Sequence, residues 1–157
     1  MTRSRHLAFV LIVLLGISTG GRAQGQSGLE TQLNAGTGRH TELGINVGTP
    51  GGINLSIGQW FDRWGIRASG MTYGSKMRGI QGFAGYEFLN DSEHRHAIGL
   101  AVGTWDYQNN SWTYAGPAYD LSIGGFFMEF GIAWGHGTYA ANQVIWQIGY
   151  VYRLFDK

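Results

Sequence analysis

The chain has no cysteine, two prolines among 157 residues, and few charges: Asp, Glu, Lys and Arg together make up 13%. Without cysteine there are no disulfides, no thiolate metal site and no thiol nucleophile. Scarce proline leaves long stretches free to join a hydrogen-bonded ladder. A formal net charge of +1 with no basic stripe excludes a nucleic-acid footprint. HExxH, GxSxG and P-loop motifs are missing too, so no ready-made hydrolytic or phosphate-binding site is written in the chain. No apolar run reaches the roughly 17 residues that a membrane-spanning helix requires.

The longest apolar run, Leu7 to Ile17, opens the chain. Arg3, Arg5 and His6 precede it and Gly21-Arg22-Ala23 follows as a small-x-small step. That order predicts a cleavable export signal over residues 1–23. Cleavage removes Arg3, Arg5 and Arg22 from 11 basic residues and none of 10 acidic ones, leaving a mature net charge of about −2. Residues 24–40 are polar and weakly patterned and read as a periplasmic lead-in. Leu29–Ala35 is a possible extra strand within it.

Glycine is abundant, at 27, and aromatic residues make up 14%. The glycines stand beside Ile, Val, Phe and Trp inside an apolar alternation, which argues against a disordered Gly-rich chain. From Thr41 onward the period is two. Val144, Trp146, Ile148, Tyr150, Tyr152 and Leu154 share one face of a strand, while Gln147, Gly149 and Arg153 share the other. Similar segments run over Thr41–Thr49, Ile53–Trp60, Trp64–Tyr73, Arg78–Phe88, His96–Tyr107, Trp112–Ser122 and Phe126–Gly135. Pro50-Gly51-Gly52, Asp62-Arg63, Gly74-Ser75-Lys76, Asn109-Asn110 and Gly124-Gly125 separate them as turn signals. Pro117, inside the sixth segment, predicts a bulge or a strand start.

Eight strands of about ten residues are long enough to cross a bilayer at a tilt. The pattern therefore predicts an all-β fold, an eight-stranded antiparallel up-and-down transmembrane barrel over residues 41–157, with both termini in the periplasm. A ninth strand at Leu29–Ala35 would break the even parity of such barrels. Two aromatic girdles are expected: Trp60, Phe61, Trp64, Phe88, Tyr152 and Phe155 at the periplasmic end, and Tyr73, Trp105, Tyr107, Trp112, Tyr114 and Trp134 at the outer end.

On these segments, and on the final strand Gln147-Ile148-Gly149-Tyr150-Val151-Tyr152-Arg153-Leu154-Phe155, the chain resembles the small outer-membrane barrel proteins of diderm bacteria. The resemblance implies location in the outer membrane, lipid as the surrounding partner, and recognition of the C-terminal strand by the barrel-assembly machinery. Those strands usually end on the aromatic residue, whereas here Asp156-Lys157 follow it. A monomer without cofactor or metal is expected.

Two groups of residues are candidates for function. Glu42, Arg67, Glu87, Glu129 and Arg153 fall on the mixed faces of their strands. An eight-stranded barrel leaves an interior only wide enough for side chains, so these charges are expected to form a paired network low in a closed lumen. Ser75, Asp106 and His136 fall at the outer rim, and a serine, a histidine and a carboxylate are the parts of an acyl-transfer site. Outer-membrane enzymes that acylate or deacylate lipid A use a serine and a histidine at this level. The lipid A deacylase has a His-x-Ser pair where this chain has His136-Gly137-Thr138. His94 and His96 flank a polar turn and read as solvated.

The leading expectation is a structural or interaction protein. A lipid A-modifying enzyme and a soluble periplasmic, lipocalin-like ligand-binding barrel are the alternatives.

Overall fold

A computed structural model describes residues 38–154 apart from 75, 92–93 and 139–141. Eight strands follow in order: β1 (His40–Gly48), β2 (Ile53–Phe61), β3 (Trp64–Tyr73), β4 (Met77–Asn90), β5 (His94–Tyr107), β6 (Asn110–Ile123), β7 (Phe126–Gly137) and β8 (Asn142–Leu154). Each pairs antiparallel with the next, and β1 closes on β8 from Thr41↔Leu154 to Gly48↔Gln147. Closure removes both sheet edges, so every strand is flanked on two sides. The export signal, the segment Leu29–Ala35 and Phe155-Asp156-Lys157 lie outside the described residues.

The period-two pattern becomes an inside and an outside. Leu43, Ile45 and Val47 on β1, Ile53, Leu55 and Ile57 on β2, and Ile98, Leu100 and Val102 on β5 all stand on the outer wall. Their neighbours in sequence turn inward, where Glu42, Asn46, Asn54, Ser56, Arg67, Ser69, Gln81, Glu87, Arg95, Asp120, Ser122, Glu129 and Gln147 are buried. The polarity is the reverse of a water-soluble barrel: large apolar side chains outside, charges and amides inside.

Four tryptophan and tyrosine side chains assigned to girdles by sequence face the lumen instead. Trp60, Trp112 and Tyr114 are buried, and Trp105 packs against the same apolar cluster. The reason is parity: Trp60 shares its face with Asn54 and Ser56, not with Leu55 and Ile57. Trp112 and Tyr114 stack at 4.2 Å above Phe83, Ala101 and Ile145, filling the loop-end half of the lumen. The outward aromatics that remain gather chiefly at the terminus end. Trp64 meets Tyr86 edge-on at 5.0 Å, and Phe88, His96 and Tyr119 form a second group one strand further round.

Two irregularities shape the wall. A bulge between Glu87 and Leu89 turns both Phe88 and Leu89 outward. At Gly116-Pro117 the β6–β7 ladder skips from Ala115↔Trp134 to Ala118↔Gly131 without changing register, while β5–β6 pairing continues through Leu100↔Pro117. The expected bulge or strand start is therefore a local interruption inside a continuous strand, on the side where the missing N–H would have paired.

Candidate functional site

The lumen is built from parity, and its centre is a cluster of five ions. Arg67 on β3 reaches three carboxylates: its Nη1 donates to Asp120 Oδ2 at 2.6 Å and lies 3.5 Å from Glu129 Oε2, and its Nη2 donates to Glu42 Oε2 at 3.3 Å. Arg95 on β5 lies beside it. Its Nη1 donates to Glu42 Oε1 at 2.8 Å, while its Nη2 reaches Ser122 Oγ at 2.8 Å and Asp120 Oδ1 at 3.4 Å. Glu42 and Asp120 thus each bridge both guanidinium groups. His40 Nε2 adds a contact of 3.1 Å to Glu42.

The ions are sandwiched between rings. Arg95 lies 3.7 Å over the Trp60 ring and Arg67 lies 4.0 Å over Phe127. Such stacking suits a weakly hydrated planar cation held away from water. Trp60 can lie flat there because residue 65 is glycine: a Cβ would sit 2.3 Å from its ring carbons.

Above the ions the network continues through neutral groups. Gln81 Nε2 donates to Glu129 Oε1 at 2.6 Å, and Tyr114 Oη donates to Gln81 Oε1. A separate amide chain lies nearer the loop end. Asn54 donates to Asn46, Asn46 donates to Ser69 Oγ, and Ser69 donates to Gln147 Oε1 at 3.0 Å. Gln147 Nε2 then donates to the carbonyl of Thr49 at 2.6 Å, which ties in the β1–β2 loop. That loop bends over the mouth. Pro50 is buried in the space a side chain on Gly79 would take. The lumen is therefore occupied from Trp60 and His40 at one end to Pro50 at the other.

Of the charges singled out in sequence, Glu42, Arg67 and Glu129 lie together in this cluster. Glu87 is buried below it, hydrogen-bonded to Asn90 and within electrostatic range of Arg95 and His40. Arg153 is half-buried opposite Glu42 in register, yet the ion pairs of Glu42 among the described residues go to His40, Arg67 and Arg95. Arg95 and Asp120 complete the cluster and were not singled out by the pattern. Arg95 stands between His94 and His96, where the sequence reads as a polar turn, yet extending the inward row Gly103, Ala101, Gly99 by two steps reaches it. Asp120 sits on the same face as Tyr114 and Ala118 of β6, the strand whose faces proline obscured.

The rim residues are arranged differently. Asp106 accepts a hydrogen bond from Arg78 Nε at 2.9 Å, on the side of β5 that faces β4. His136 pairs in register with Thr113 on β7's side of β6, so a whole strand separates it from Asp106. Ser75 lies outside the described residues. No known protein family matches the chain, and neither a curated protein nor a solved structure is significantly similar to it.

Proposed function

We propose that this chain is an integral outer-membrane β-barrel with a structural or interaction role and a lumen closed by its own side chains. The single observation that carries the reading is the reversed polarity of the wall. Leu43, Ile57, Leu100, Ile132 and Val144 stand open on the outside while Glu42, Asp120 and Glu129 are fully buried within. A continuous apolar belt of this kind exceeds the patches that soluble monomers expose. A closed strand ladder is also one of two ways a chain satisfies its backbone in hydrocarbon. Lipid would be the surrounding partner, and β8 the segment offered to the barrel-assembly machinery.

The alternatives draw less support. A lipocalin-like carrier needs an apolar cup, whereas this interior is filled by ions, amides and stacked rings. A rim acyl-transfer site needs the carboxylate to orient the histidine, and Asp106 is engaged by Arg78 one strand away. Two measurements test the proposal. Refolded protein should float with phospholipid vesicles, and should give no large steady conductance in a planar bilayer. Monodisperse protein in detergent-free buffer would overturn the membrane reading. Steady conductance would overturn the closed lumen.

A further inference from the structure

The wall loosens between β2 and β3 at the loop end. The β2–β3 ladder runs from Phe61↔Trp64 to Leu55↔Gly70 and stops, short of the next outward position, where Ile53 would face Thr72. Both strands continue to pair on their other flanks, to Val47↔Ile53 on one side and Tyr73↔Met77 on the other. They are ordered but parted. A cleft of about 500 Å³ fills the gap, lined by Ile53, Leu55, Gly70, Met71, Thr72 and Tyr73.

The β1–β2 loop lies beside this end of the wall. Gly51 packs against Met77, Trp105 and Met71, and Gly52 approaches Tyr73. The loop that caps the lumen therefore packs beside the ends of β3, β4 and β5.

In water such a cleft would be unremarkable, but in a bilayer it has a definite chemistry. Its outward lining of Ile53, Leu55 and Gly70 is continuous with the apolar belt. Thr72 and the parted backbone edges lie at its loop-end margin. Backbone groups no longer paired within the sheet need polar partners when they face lipid. An amphiphile meets both demands at once, with an apolar chain for the belt side and ester or hydroxyl oxygens for the edges. The opening is too short for an added strand to build a ladder.

We propose that the β2–β3 cleft is a lipid site that holds one acyl chain of a surrounding phospholipid against Ile53, Leu55 and Gly70, with its ester linkage at the parted strand ends. The proposal rests on the membrane reading above. Gly70 provides the test, because a Cβ there meets the Gly79 carbonyl oxygen at 3.3 Å, a tight contact that a shift of a few tenths of an ångström relieves, and otherwise only Ile80 at 3.8 Å. The protein, Gly70→Leu, Gly70→Val and a control, Ala115→Leu on the outer wall of β6, would be refolded into phosphatidylglycerol vesicles. Each would be extracted in mild detergent and weighed by native mass spectrometry, with heat-modifiable gel mobility reporting folding.

The unaltered barrel and Ala115→Leu should retain one phospholipid. Gly70→Leu should lose it, and Gly70→Val should retain a smaller fraction. Equal retention by all four, no retained lipid on the unaltered barrel, or a dimer mass that vanishes in Gly70→Leu would overturn the lipid site while leaving the membrane reading standing. Failure of the unaltered protein to enter vesicles would overturn both.

Discussion

Replacing Arg67 by methionine should be among the most damaging single changes in the barrel. Methionine keeps much of the apolar stem and removes the guanidinium, so the effect isolates charge and hydrogen bonding. In the native lumen, Glu42, Asp120 and Glu129 face Arg67 and Arg95, with His40 beside Glu42. Without Arg67 the same three carboxylates have one guanidinium between them, and Glu129 loses its only ion pair among the described residues. Stripping one partner from a buried ionic cluster typically costs about 3–5 kcal/mol, and the lost stack on Phe127 belongs within that range rather than on top of it. Adding Glu129→Gln to Arg67→Met should recover about 1–2 kcal/mol, because the second change removes a charge the first has orphaned. Urea unfolding in vesicles, followed by circular dichroism and gel mobility, reads both quantities. A loss below about 1 kcal/mol for Arg67→Met, or strict additivity in the double variant, would refute the view that these ions act as one buried unit.

The outer wall should show depth dependence: Leu100→Arg, mid-strand on β5, should cost about 2–4 kcal/mol, while Thr104→Arg near the loop end should cost about 0–1, both read by the same unfolding titration. Gly65→Ala would place a methyl 2.3 Å from the Trp60 ring and should cost about 1–3 kcal/mol with loss of near-ultraviolet dichroism. Gly82→Ala, whose nearest neighbour is 3.8 Å away, should leave that signal unchanged. Gln147→Ala removes the tie to the Thr49 carbonyl and should cost about 1–3 kcal/mol, accompanied by faster proteolysis within residues 49–52.

The strand count was legible in the sequence because period-two alternation and turn residues reinforce one another, and β3 begins and ends at Trp64 and Tyr73 as its pattern implies. Inside and outside were equally legible wherever aliphatic residues alternate with polar or small ones, as on β1 and β5. Aromatic residues defeated that reading. Trp60 and Trp112 resemble interface residues by type, but only parity decides their face, and both face inward. The ion cluster was half legible. Glu42, Arg67 and Glu129 sit in unambiguous strands, whereas Arg95 begins a strand beside a turn and Asp120 follows a proline. Which charges pair depends on strand tilt around the barrel, which brings Arg67 of β3 to Asp120 of β6. No local pattern in the chain encodes that.

Separation of the host's membranes on a density gradient tests the central claim most directly. The mature protein should appear in the outer-membrane fraction, need detergent for release, and change its gel mobility on heating. Recovery of a folded, monodisperse protein from the soluble periplasmic fraction would contradict the account, since the exposed belt of Leu43, Ile57, Leu100 and Ile132 has no place in water.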